Sequence, residues 1–190
     1  MRWRLADRTL DLARPLGAGI VNVTVDSMFE GARSGTPEQA VADGLALAEA
    51  GFDMLDVGAV AAKAGPPVSP DDEAAALVPA VEGLAAQSRG SFVGPDTTKE
   101  PRDGGGTTAT QSRGSFVGQD TTKEPQDVPV SADTFSVEVA RRALGAGAAV
   151  VNDISGGSEE MFELVAETGC GYVLMHIEGP PRVDRPWREY

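Results

Sequence analysis

Residues 20–27 read Ile20-Val21-Asn22-Val23-Thr24-Val25-Asp26-Ser27, the end of an apolar run that begins at Gly17 and then breaks into a short polar segment. A short apolar run of this kind suits a buried parallel strand, and its amide, Asn22, arrives where the strand gives way to a loop at the rim of a sheet. The event recurs four times downstream. Residues 54–58 carry Asp56, 128–132 lead into Asp133-Thr134, 148–152 end in Asn152 before Asp153, and 171–175 are followed by His176.

Helical stretches separate these runs. Residues 37–50 have Thr36 as N-cap, Pro37 at the first helical position and Glu38 in the first turn, and Gly51 ends the helix. Ala40, Leu45, Leu47 and Ala48 supply the inner face of that helix. A second helix begins near Ser69-Pro70, where Asp71, Asp72 and Glu73 complement the helix dipole, and continues to about residue 86. Two more span 136–144, with Ser136 as cap, and 158–168. Ahead of them all, residues 3–12 alternate around Asp7-Arg8 and predict a small hairpin. Strands alternating with amphipathic helices at these spacings predict βαβ units and a parallel sheet. Five strands make a whole doubly wound sheet or part of an eight-stranded barrel, and spacing alone leaves both open.

Composition narrows the partners. A formal net charge of −13, from 29 acidic against 16 basic residues, argues against nucleic acid or an anionic membrane. No stretch approaches the roughly 18 apolar residues of a membrane span, and the start lacks the apolar run of a signal peptide, so a cytoplasmic location is expected. The single cysteine, Cys170, permits no internal disulfide and sits between glycines before an apolar strand, as a buried thiol would.

One segment breaks the rhythm. Residues 87–103 read QSRGSFVGPDTTKEPRD and 111–127 read QSRGSFVGQDTTKEPQD, differing at Pro95/Gln119 and Arg102/Gln126. Two polar copies are too few for a solenoid and bury too little to fold alone, so residues 87–127 are expected to be a duplicated, flexible insertion between the second helix and the third strand of a single domain, 1–190.

The strand ends are informative as a set. Five successive polar termini, mostly Asn and Asp, favour one convergent site at the C-terminal edge of the sheet. Taken singly they have plain readings: Asn152-Asp153 can cap a turn, Asp133-Thr134 can start a helix, and a lone histidine is more often a satisfied rim residue. No serine lies in a nucleophile elbow, and Gly156-Gly157 offers an anion only weakly.

At these positions the chain resembles the dihydropteroate synthases of the pterin-binding (β/α)8 barrels, from about residue 3 to 181 outside the insertion. Asn22-Val23-Thr24-Val25-Asp26-Ser27 is similar to the family's N-V-T-P-D-S loop, and Leu55-Asp56-Val57-Gly58 to its second-strand motif. Ser131-Ala132-Asp133-Thr134 looks like S-V-D-T, Asn152-Asp153-Ile154-Ser155-Gly156-Gly157 like N-D-V-S-G-G, and Leu174-Met175-His176 like the end of the fifth strand. The resemblance implies a TIM-barrel-type α/β fold with about five of its βα strands present, hence an incomplete barrel. It implies a transferase that condenses a dihydropterin methyl diphosphate with 4-aminobenzoate in folate biosynthesis. Asn22 would contribute a carbonyl oxygen to Mg²⁺, with its loop as a cover over the site. Asp133 and Asn152 would hold the pterin's amino-pyrimidine edge, Lys63 would face the anion, and Asp56 and His176 would complete the substrate-binding set. The partners implied are small molecules, with room for a homodimer.

The chain also departs from the family. Val60-Ala61-Ala62-Lys63-Ala64-Gly65 stands where the family has E-S-T-R-P-G, so a threonine is Ala62 and an arginine is Lys63, which keeps charge but loses the bidentate fork. Val25 replaces the proline of the first loop. A chain that stops after strand five is expected to be inactive by itself. A non-catalytic pterin-binding paralogue and a methyltetrahydrofolate-binding methyltransferase domain are the alternatives.

Overall fold

The computed structural model describes residues 1–23, 34–62, 65–89 and 128–183, with the side chains of the second helix described to residue 87. The insertion beyond residue 89, the loop 24–33 and Lys63 lie outside the described residues. A two-stranded antiparallel hairpin, β1 (Arg2–Arg4) and β2 (Thr9–Asp11), comes first, with Trp3 opposite Leu10. The chain then alternates β3 (Ala18–Asn22), α1 (Pro37–Glu49), β4 (Met54–Gly58), α2 (Pro70–Arg89), β5 (Val130–Asp133), α3 (Val137–Gly145), β6 (Val150–Asp153), α4 (Glu159–Thr168) and β7 (Gly171–Leu174). The hairpin and each predicted strand and helix are present within a few residues of expectation.

The sheet order decides between the two architectures. Strands β3 to β7 are parallel and lie in sequence order, β3-β4-β5-β6-β7. A doubly wound sheet reverses its strand order at a switch point and places helices on both faces. Here Val21, Leu55, Val57, Val130 and Ala132 pack with residues of α1, α2 and α3 in one core, on one side of the sheet. A second core of Val151, Met161, Leu164 and Cys170 seats α4 and α3 beside β6 and β7 on that same side. The molecule is therefore a partial α/β barrel, with an outer, helix-covered face and an inner face.

Register makes the inner face legible. In parallel pairs, partners share a face, and side chains alternate along each strand. Ile20, Asp56, Ser131, Val150 and Gly171 form one inner row, and Asn22, Gly58, Asp133, Asn152 and Val173 form the next row toward the C-terminal rim. The hairpin closes the lower end, where Leu5, Ala149 and Val150 pack with Trp3, Leu10 and Met54. The polar groups thus stand above an apolar floor.

Local signals set the helices. Thr36, Ser136 and Ser158 cap α1, α3 and α4, their hydroxyls accepting from the amides of Gln39, Val139 and Met161 at 3.2, 3.4 and 3.2 Å. Gly169, at φ +66°, ends α4 in the left-handed conformation that L side chains avoid. Helix α2 carries Leu77, Ala80, Val81 and Leu84 fully buried, and Leu84 sits over Gly44 of α1, where a Cβ would meet it at 2.7 Å. Leu84→Ala is expected to cost about 3 kcal/mol, because the α1–α2 contact cannot collapse fully into the void. Urea unfolding followed by circular dichroism would show this as a lower midpoint at unchanged slope. A loss under 1 kcal/mol would place Leu84 outside the core.

Candidate functional site

The inner row nearest the rim and the row beneath it bring Asn22, Asp56, Ser131, Asp133 and Asn152 onto one wall. Asn22 and Asp133 are the last residues of β3 and β5, and Asn152 is one short of the end of β6. Asp56 is a correction to the strand-end pattern. It lies mid-strand, two residues below the end of β4, because the strand continues through Val57 and Gly58. That places it one pleat deeper, under the other polar groups.

Gly58 makes this crowding possible. A Cβ there would stand 3.2 Å from Asp133 Oδ2 and 3.7 Å from Asn22 Oδ1, so the two side chains converge over a strand position with no side chain of its own. Asn152 Nδ2 donates to Asp56 Oδ2 at 3.0 Å, which leaves the carbonyl oxygen of Asn152 as an acceptor. Asp56 Oδ1 and Ser131 Oγ are buried with no hydrogen-bond partner. The Ser131 hydroxyl nonetheless lies close enough to Asp56 to act on its carboxyl, so these two groups form a buried polar base beneath Asp133 and Asn152.

The electrostatics agree. The Asp133 carboxyl is pushed up to about 7, first by burial and then by the charges of Asp56, Glu73 and Asp153. Asp56 is raised by burial, with Ser131 and Asn152 opposing the shift. Near neutral pH this wall therefore carries less charge than its carboxylates suggest, and it both accepts and donates hydrogen bonds.

The two strand-end doublets divide their roles. Asp133 and Asn152 face the wall, while Thr134 and Asp153 serve the backbone. Thr134 Oγ1 accepts from the amide of Ser136 at 3.1 Å at the start of α3. Asp153, fully buried on the outer face, accepts from the amide of Ser155 and from the hydroxyl of Tyr172, both at 2.7 Å. Burial and that bond push the Tyr172 hydroxyl up, so it stays a donor.

His176 stands two residues past β7, is exposed, and makes no hydrogen bond among the described residues. Lys63 and the cover loop 24–27 lie outside the described residues. Two residues of the site escaped the sequence reading as functional groups. Ser131 had a signal, since alternation puts it on the face of Asp133. Glu73 had none: its place in the first turn of α2 suggested dipole complementation, yet it is 6% exposed. Burial raises its carboxyl, and Thr134 and the charge of Arg182 oppose the rise.

Among the described residues no group of three or more His, Cys, Asp or Glu side chains could hold a metal ion. Nor is any described helix long and apolar enough to cross a membrane.

Comparison with known proteins agrees with this arrangement. A sequence model of the family described as pterin binding enzyme matches residues 18–101 and 118–186. The dihydropteroate synthase of Mycobacterium leprae is 34% identical over 161 residues, covering 83% of this chain and 43% of that protein. The inactive dihydropteroate synthase 2 of the same organism is 32% identical over 99% of this chain and 52% of its own length. The solved dihydropteroate synthase of Xanthomonas albilineans in complex with 7,8-dihydropteroate superposes with a TM-score of 0.63 at 33% identity, over 94% of this chain and 52% of that one. The chain thus spans about half the length of the relatives it matches. A partial α/β barrel with a polar inner wall at its C-terminal rim, matched over most of its length by the family's sequence pattern, belongs to the pterin-binding enzyme family.

Proposed function

We propose that this wall binds a dihydropterin and that the chain carries the pterin half of a dihydropteroate synthase, a transferase joining a dihydropterin methyl diphosphate to 4-aminobenzoate. The observation that carries the reading is the convergence of Asn22 and Asp133 over the bare strand position Gly58, with Asn152 beside them and a carboxyl at Asp133 that exchanges its proton near neutrality. An amino-pyrimidine edge presents adjacent N–H donors and a ring acceptor. Asp133 takes the donors as a carboxylate, and the second N–H of the Asn152 amide, the one not given to Asp56, serves the ring acceptor. A charge-assisted pair of this kind draws the Asp133 proton off as the ligand binds.

The residues present also fit Mg²⁺. The carboxamide of Asn22 is half-buried, makes no hydrogen bond among the described residues, and converges with Asp133 above Gly58. One protein oxygen suits an ion that keeps several waters and takes phosphate oxygens from its ligand. Bound there, Mg²⁺ would stabilise charge on the departing diphosphate. The chain's own contribution is to hold the pterin by its amino-pyrimidine edge against the inner wall.

Titration calorimetry of the 190-residue chain with a reduced pterin tests the reading. Saturable 1:1 binding that is lost in Asp133→Asn supports it, and heat indistinguishable from dilution overturns it. Asn22→Ala should leave phosphate-free pterin binding intact while removing the Mg²⁺ dependence of diphosphate binding.

A second reading has a specific observation behind it. Similarity to an inactive dihydropteroate synthase 2 extends over 99% of this chain, and Val60-Ala61-Ala62-Lys63 departs from the synthase loop. On that reading the protein binds a pterin without transferring it. Pteroate formation by this chain, or by a longer protein containing it, would exclude the reading, and tight pterin binding with no turnover would establish it.

A further inference from the structure

The segment after β7 crosses the mouth of the barrel. Ile177 lies against the loop that follows β6, where a Cβ at Gly156 would stand 3.0 Å from Ile177 Cγ2. Five residues later, Arg182 Nη2 comes within 2.9 Å of the Cβ position of Gly65, in the loop that follows β4. Strands β5 and β6 separate β4 from β7 in the sheet. The segment after β7 therefore spans the C-terminal ends of β5 and β6 to reach the loop after β4. Arg182 is also near enough to the first turn of α2 for its charge to act on the buried Glu73 carboxyl, which lies beside Thr134 just past β5. One close approach, to Gly65 in the loop after β4, and one electrostatic interaction, with Glu73 in the first turn of α2, thus place the Arg182 guanidinium at the C-terminal end of the barrel, beside the polar wall's neighbouring loop.

The backbone there is unusual. Among the described residues, Arg182 is the one non-glycine residue with positive φ, at +59°. A left-handed conformation in a residue with a long side chain costs energy and persists where the surroundings impose it, often at ligand sites. The wall below presents Asp56 and Asp133, with Glu73 behind them, so an anionic group entering the mouth meets carboxylates unless a cation stands at the entrance. A guanidinium offers planar, bidentate donors that match phosphate oxygens.

We propose that Arg182 is the diphosphate-recognising residue of this site, reaching from the loop after β7 to the loop after β4 to grip the anionic end of the ligand while the pterin ring rests on the inner wall. The assignment rests on the pterin reading above and adds to Asn22 and its Mg²⁺ a second group that distinguishes a diphosphorylated pterin from the bare one.

The test uses the chain in its wild-type, Arg182→Gln and Arg182→Lys forms, titrated in Mg²⁺ with a phosphate-free dihydropterin, with the dihydropterin methyl diphosphate and with inorganic pyrophosphate. In Arg182→Gln, affinity for the two diphosphates is expected to fall at least about 10-fold, with the phosphate-free pterin unchanged within about twofold, as expected when one charge-assisted phosphate contact is lost. Arg182→Lys should recover part of the loss, since it keeps charge without the fork. Unchanged diphosphate affinity in Arg182→Gln overturns the proposal and leaves the pterin site standing. Equal weakening of all ligands also overturns it, since Arg182 would then be a latch on Glu73. A wild-type chain that binds no pterin removes the underlying reading together with this one. Thermal melts of each variant guard against unfolding, and Arg182→Lys carries the comparison if Arg182→Gln does not fold.

Discussion

Asp133→Asn is expected to make the chain more stable at pH 8 while removing its affinity for reduced pterins. The folded carboxyl titrates at about 7 against an ordinary 3.8, so the folded state holds its proton through a window in which the unfolded chain has released it. Stability contributed by this group is highest below about pH 4, falls as pH rises toward 7, and is level above that. At pH 8 the folded protein bears the whole cost of an ionised, largely buried Asp133. The rise from 3.8 to about 7 sets an upper bound of about 4 kcal/mol. The asparagine amide still needs partners, so a gain of roughly 2 kcal/mol is the expected value. Urea unfolding at pH 5 and pH 8 measures it: the variant should gain at pH 8 and show a shallower slope between the two. Some slope will persist, because Asp56 and Glu73 are raised as well and act in the same direction. A variant less stable than wild type at pH 8 would contradict the account.

The functional side of the same substitution runs the opposite way. An asparagine presents an N–H where the pterin edge also presents N–H groups, and it cannot take up their charge-assisted bonds. Affinity is expected to fall by about 100-fold or more, the scale of two such bonds lost from a buried site. Stability rising while binding collapses is the signature of a carboxylate kept at a cost for its ligand. A purely structural Asp133 would lose both together.

Gly58→Val is expected to abolish or greatly weaken pterin binding with little change in the fold. Gly58 is a buried β4 residue in regular parallel pairing, with Asn22 on one side and Asp133 on the other, so a valine is at home in the backbone. Its Cβ alone would stand 3.2 Å from Asp133 Oδ2, and its two methyl groups would then occupy the space between the converging side chains. Overpacking of this kind costs roughly 1–3 kcal/mol, a drop of about 10- to 100-fold when it falls on the ligand rather than the core. Calorimetry and a thermal melt separate the two effects. Binding within twofold of wild type would mean the ligand does not use the space above Gly58.

Much of this was legible in the residues. The hairpin, the five core strands, the four helices and the caps at Thr36 and Ser136 follow from local patterns, because each depends on a few neighbouring side chains and backbone groups. Asn22, Asp133 and Asn152 were recognisable as a group because parallel strands place their ends on one rim. Asp56 was recognised, but its depth was not, since an apolar run does not announce where its ladder stops. Ser131 was recoverable from alternation. Glu73 was not, because an acidic first turn reads the same whether it faces water or a neighbouring strand.

The sequence alone therefore determined the order and type of the elements and the chemistry at the ends of the strands, which are properties of short windows. Spacing left open whether five βα units wind as an open sheet or a barrel; the resemblance implied the barrel, and the strand order β3-β4-β5-β6-β7 with helices on one face bears it out, a long-range pairing that spacing does not encode. The proton affinity of Asp133 belongs to the tertiary structure as well. It arises from burial and from carboxylates at positions 56, 73 and 153, which are brought together only when strands distant in sequence become neighbours.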